Sequence, residues 1–178
     1  MRTDKLREEF DLNIRWSVFP LHPDTPEEGL ELADLFAGRM DIDAVLQRLY
    51  QVAGDLGLPI GQRTRTYNSR RAQELGKWAE EQGAGEAFHM AVYHAYFVDG
   101  RNIALPAELA AIADGVGLDA DLARQVIDRQ SHAAAVDADW LRAAKLGVTA
   151  VPTCIYNNQP LVGFQAYANY RKLITATD

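Results

Sequence analysis

The sequence predicts an α/β fold in which a small sheet is interrupted by a long helical insertion. Three observations predict it. Asn13 to Phe19 alternates apolar and polar residues, with Ile14, Trp16 and Val18 on one face. Thr153 to Tyr156 and Leu161 to Phe164 read as two strands joined at Asn157-Asn158, a dipeptide that tolerates positive φ and suits a hairpin turn. Between Leu30 and Gly147 the apolar residues recur only at helical spacing. A strand near one end of the chain and a hairpin with a helix near the other make half of a small α/β sheet. The intervening helices are expected to pack over it.

Each element follows from local signals. Thr3 to Phe10 places Leu6 and Phe10 four apart on one helical face. Pro20 ends the first strand, and PLHPDTPEEG, with three prolines, is a loop. Asp41 can cap a helix whose Val45, Leu46, Leu49 and Val52 share a face. Asn68 or Ser69 can cap the next, with Ala72, Leu75 and Ala79 in one stripe. Gly85 to Val98 is the most apolar helix. Leu105-Pro106 opens another, since proline is tolerated in a first turn. Asp119 opens the fifth, and Asp137 or Asp139 the sixth, which stops at Gly147. Tyr167 to Thr175 closes the chain with Tyr170, Leu173 and Ile174 on one face. Residues 1–22 and 148–178 are thus expected to form one domain and residues 23–147 the helical insertion.

Composition narrows the function. The 178 residues carry a formal charge of −7, which disfavours phosphate-backbone binding, so no nucleic-acid partner is expected. The single cysteine cannot form an internal disulfide. No apolar run approaches the ~20 residues that span a bilayer, so no membrane partner is expected. MRTDKLREEF has no apolar core of a signal peptide, and a cytoplasmic location is expected.

Several stretches together resemble one family. They are RWSVFPLHPDTPEEG (15–29), TYNSRRAQELGKWAEEQG (66–83), AVYHAYFVDGRNI (91–103) and GVTAVPT (147–153). In this order they are similar to the DsbA-like branch of the thioredoxin superfamily, closest to its FrnE-like cytoplasmic members. The resemblance implies a thioredoxin-like sheet with an α-helical insertion and thiol-disulfide oxidoreductase activity on protein or peptide thiols and disulfides. It also implies a cis bond before Pro152, with Val151 and Pro152 forming a substrate-facing loop.

The resemblance stops at the chemistry. The family's C-x-x-C at the start of its first helix has no counterpart here, and neither has the first strand; residues 1–10 match only the tail of that helix. Three arrangements would account for this: an internal methionine at the recorded start, a gap closed by a partner strand in a homodimer, or a non-catalytic relative. No catalytic residue and no cofactor is therefore assigned, and weak or absent redox activity is expected. Two other functions compete. Kappa-class glutathione transferases and 2-hydroxychromene-2-carboxylate isomerases look similar in layout, but VGFQAY (162–167) lacks the acidic residue that would hold the glutathione amine. A non-catalytic peptide- or partner-binding module is the other.

The remaining candidates favour structural roles. Cys154 lies two residues beyond Pro152, on the same strand face, within apolar TCIY; it reads as a small buried hydrophobe rather than a nucleophile. His89 and His94 are five apart and diverge around a helix, so no metal site is expected there or at His22 and His132. Trp16, Trp78, Trp140, Tyr93, Tyr96 and Phe97 are expected to fill the core or line a groove. Phe88, His89, Met90, Tyr93 and Phe97 could instead form an apolar surface for a peptide or aromatic ligand.

Overall fold

An isolated β-hairpin is marginal in water, so the C-terminal hairpin needs helices against one of its faces. In the computed structural model, which describes residues 2–176, it has them. The elements in chain order are α1 (Arg2–Phe10), β1 (Leu30–Glu31), α2 (Leu32–Leu35), α3 (Ile42–Asp55), β2 (Arg65–Thr66), α4 (Arg70–Glu81), α5 (Gly85–Phe97), α6 (Pro106–Gly115), α7 (Ala120–Arg129), α8 (Ala133–Lys145), β3 (Thr153–Tyr156), β4 (Gln159–Val162) and α9 (Tyr167–Thr175). They divide into two compact units, Met1–Leu21 with Asp137–Asp178, and His22–Val136.

The first unit is the α/β part. β3 and β4 pair antiparallel, Thr153 opposite Val162 and Tyr156 opposite Gln159. Leu6 of α1 and Tyr170 and Ile174 of α9 form a buried cluster, against which Cys154, Tyr156 and Leu161 pack. Cys154 and Tyr156 face the helices together because side chains on a strand repeat every second residue. A polar clasp ties α1 to α9 beside this cluster: Tyr167 donates to Glu9 Oε2 at 2.5 Å, and Arg171 Nε reaches Glu9 Oε1 at 2.6 Å.

The second unit is helical. α4 to α7 enclose a core of Leu75, Trp78, Ala79, Phe88, Ala95, Leu109, Ile112 and Ile127, among others. Asp41 accepts from Ala44 N at 3.0 Å to cap α3, and Asp119 accepts from Asp121 N and Leu122 N to cap α7. Each such cap is worth about 1 kcal/mol. Gly29 (φ +83°) cannot be replaced without strain, since a Cβ there would lie 2.5 Å from the Thr66 carbonyl oxygen.

Four expectations are corrected. Asn13–Phe19 forms no ladder among the described residues. Its alternation is real, but a strand exists only where a neighbour accepts its bonds. Instead Val18 N donates to Asp139 Oδ2 at 3.1 Å, and Arg15 Nη2 meets Asp139 Oδ1 at 3.0 Å. The second correction follows. Asp139 does not open the last insertion helix, and neither does Asp137: α8 begins at Ala133, and Asp139 is 1% exposed inside it. An alanine-rich SHAAAV start needs no acidic cap to be helical. Third, a ladder does occur between Leu30 and Gly147: Leu30 pairs with Thr66 and Glu31 with Arg65. Two residues are too few to show alternation in sequence. Fourth, β4 begins at Gln159, not Leu161. Asn157 and Asn158 both adopt positive φ (46° and 62°), and a two-residue turn of this kind joins Tyr156 directly to Gln159.

Leu75 is fully buried. Leu75→Ala should lower unfolding stability by about 2–5 kcal/mol in urea denaturation, whereas an exposed control such as Leu141→Ala should change it far less. The Tyr167 clasp gives a pH prediction. Loss of solvation and the bond to Glu9 push the Tyr167 phenol from 10.0 up to about 12. A raised folded-state pKa contributes stability fully below pH 10 and loses it as pH climbs through 12. Thermal melts across this window should show a smaller alkaline loss for Tyr167→Phe than for the wild type.

Candidate substrate-facing loop

Proline cannot donate to a ladder, so a strand that starts with it begins pairing one residue later. Here Pro152 immediately precedes β3, and the Val151–Pro152 peptide bond is cis. Pro152 is still tied in through its carbonyl, which accepts from Gly163 N at 2.7 Å. Thr153 Oγ1 donates back to Ala150 O at 2.6 Å, fixing the turn before the proline. Between these anchors Val151 is 45% exposed. Its main-chain N–H and C=O have no hydrogen-bond partner among the described residues. The two residues singled out from the sequence, Val151 and Pro152, therefore sit together at the open head of β3. Gly163, whose amide secures the loop from the opposite strand, was not singled out. A glycine directly after an apolar strand is the signal that marks it, and it adopts φ +81° here.

Cys154 is close in sequence but differently placed. Its side chain packs on the cluster of Leu6, Tyr170 and Ile174, and burial raises its thiol pKa above the ordinary value. A nucleophilic cysteine needs the opposite environment, one that favours the thiolate.

The other candidates scatter. Asn68 Oδ1 accepts from Arg70 N at 2.9 Å at the start of α4, a capping role. Ser69 makes no cap with its side chain; its hydroxyl instead accepts from Gln73. Phe88 belongs to the helical core while Met90 is exposed, so the α5 aromatic segment does not present one surface. Tyr93 and Phe97 stack with ring centres 4.9 Å apart, and the Arg63 guanidinium lies over Tyr96 and Phe97. Of the aromatics expected to fill the core or line a groove, Trp78 is in the core and Trp16 is 54% exposed, on a segment that joins no sheet among the described residues. His94 Nδ1 lies 3.3 Å from Asp99, and His132 lies between Ser131 and Glu81. Among the described residues no three His, Cys, Asp or Glu side chains converge as metal ligands. No helix there is long and apolar enough to cross a membrane.

A proline-headed hairpin closed by a terminal helix, with a helical unit carried ahead of it in the chain, is the layout of a thioredoxin-like protein. The chain belongs to the DSBA-like thioredoxin domain family, whose model matches residues 1–175. Among solved structures it is similar to a protein described as a DsbA oxidoreductase from Streptomyces coelicolor. That likeness has 26% identity and a TM-score of 0.79, covering 88% of this chain and 71% of that one. It is also similar in fold to a 2-hydroxychromene-2-carboxylate isomerase, at 19% identity and TM-score 0.72, covering 99% and 85% of the two chains. A protein described as a disulfide isomerase from Nitrosomonas europaea shares the fold at 14% identity and TM-score 0.70, covering 98% and 87%. No curated relative matches the chain.

The Cys154 environment predicts slow chemistry. At pH 8 the native thiol should react with a disulfide reagent at least about tenfold more slowly than free cysteine. Unfolding in guanidinium should restore the ordinary rate. A native rate above that of free cysteine would show an activated thiol.

Proposed function

We propose that this chain is the substrate-holding body of a DsbA-type thiol-disulfide oxidoreductase of the FrnE-like branch, and that alone it performs no dithiol exchange. The observation that carries the reading is the Val151–Pro152 loop in a chain of this family. An exposed, unbonded main-chain donor and acceptor at the head of a strand suits an extended peptide, which would add to the sheet by backbone pairing. Val151 supplies the pairing backbone, and Pro152 sets where the protein's own ladder begins. The partners are then cysteine-bearing protein or peptide segments, bound with little sequence preference because backbone recognition dominates.

The redox step is limited by arithmetic. Disulfide exchange by this family's route needs one thiolate to attack and a second to resolve the mixed disulfide. This sequence has one cysteine, and burial disfavours its thiolate. A second thiol would have to come from outside these residues. The glutathione-dependent isomerase or transferase reading is weaker. After the hairpin, where an acid would hold the glutathione amine, stands Gln165, whose amide nitrogen donates to Val162 O at 2.8 Å and whose oxygen accepts from Asn169.

Three measurements test the proposal. This chain should not reduce insulin above the rate of dithiothreitol alone, and calorimetry should show no glutathione binding. A cysteine-to-serine peptide should bind, as read by NMR titration. Val151→Pro, which removes the main-chain donor, should weaken it about tenfold, while Val151→Ala should leave it within about threefold. Circular dichroism would verify that both variants stay folded. Insulin turnover by this chain, or peptide binding indifferent to Val151→Pro, would overturn the reading.

A further inference from the structure

α3 carries apolar residues that its own unit does not cover. Val45, Leu49 and Leu56 are 48%, 40% and 45% exposed, and Met40 and Leu58 extend the patch beyond the helix ends. Ile42, Val45, Leu49, Val52 and Leu56 follow one another at intervals of three, four, three and four. That spacing is the seam of a coiled coil. The helix's inward side is a different stripe: Ala53 is buried and Leu46 half-buried. On the outer stripe Ile42 and Val52 are half-buried too, and Leu49 borders the crevice lined by Leu46 and Tyr50, so the open part of α3 is the line of Val45, Leu49 and Leu56.

The charges beside the open stripe say what fits it. Arg48 and Asp55 are exposed, and helical rotation puts both on the flank away from the unit's own core. They are seven residues apart, about 10 Å along the axis, too far to pair within one helix. In a two-fold arrangement of antiparallel α3 helices, the equivalent flanks face each other. Arg48 of each copy then stands beside Asp55 of the other, while Val45 meets Leu56 and Leu49 meets Val52. The same register satisfies both the apolar layers and the charges. A two-fold interface needs this self-complementarity.

We propose that α3 is a homodimerisation helix, with a second copy of this chain laid antiparallel along the Val45–Leu49–Val52–Leu56 stripe. A seam of one 14-residue helix is about 21 Å long. It lies at the small end of specific interfaces, so the dimer is weak and reversible. The acidic net charge opposes association, which makes the paired charges decisive for register.

Sedimentation velocity on the full chain, from about 1 μM to 1 mM, tests it. The wild type should pass from monomer to dimer within that range. Arg48→Asp and Asp55→Arg each place like charges together twice and should weaken the dimer at least about tenfold. The double variant restores opposite charges and should return to within about threefold of wild type. Val45→Glu should abolish the dimer with far-UV circular dichroism unchanged. A wild type monomeric throughout would overturn the proposal. So would a dimer that survives Val45→Glu, meaning association through another face, or a double variant no better than the singles.

Discussion

Buried main chain must have its polar groups paired, and a loop with no ladder of its own does this through its own turns, through water or by borrowing side chains. In the helical unit the proline-rich segment from His22 to Gly29 is such a loop, and two asparagines hold it. The Asn68 amide nitrogen donates to Pro23 O at 3.0 Å and Thr25 O at 2.7 Å, while its oxygen caps α4 through Arg70 N. Asn102 repeats the arrangement: it donates to Glu27 O at 2.9 Å and accepts from Ala104 N at 2.9 Å. Arg71 binds both the Glu27 carboxylate and the Ala104 carbonyl, so loop and helix connection share one clasp. Thr25 is buried, so its carbonyl left without the Asn68 donor would cost about 1–3 kcal/mol, whereas Pro23 and Glu27 are exposed and water can replace their donors.

That clasp falls within two of the stretches that resemble the family. The segments that carry the likeness, NSRRAQEL and DGRNI, supply Asn68, Arg71, Glu74, Leu75, Asn102 and Ile103. Leu75 and Ile103 are core. Glu74 is a buried carboxylate, paired at 2.6 Å with Arg70, which also donates to Ala133 O. All of these do architectural work inside one unit. A likeness built on them reports the fold and says nothing of a nucleophile.

What could be read from the chain depended on how far apart the interacting residues are. The caps at Asp41 and Asp119 act over two or three positions and were legible from the sequence. So was the Ala72–Leu75–Ala79 stripe, and so was Tyr167–Thr175 with its two buried residues, Tyr170 and Ile174. Asn68 was half legible: its cap was, but its hold on Pro23 and Thr25 spans more than forty residues and leaves no local trace. Asp139 misled for the same reason. An aspartate before an apolar run looks like a cap, and nothing nearby announces that Arg15 and the Val18 amide claim it from more than 120 residues away. Asn13–Phe19 shows the converse limit. Its alternation prepares it for a sheet, yet whether a strand forms depends on a neighbour that the segment cannot encode.

The proline and the cysteine of GVTAVPTCIY divide the same short segment between two duties. Pro152 has no amide hydrogen, so the hairpin's own bonding reaches it only through its carbonyl, from Gly163. Everything C-terminal to it is committed inward: Thr153 to Tyr156 pair with β4, and Cys154 and Tyr156 close over Leu6, Tyr170 and Ile174. Immediately N-terminal, Val151 is left outward, its main chain unpaired among the described residues. A cysteine placed before the proline would stand exposed with its thiolate favoured by water. Placed two residues after it, the same side chain turns to the helices, and burial raises its pKa. The proline thus marks the boundary between a packed strand and an open one, and Cys154 lies on the packed side.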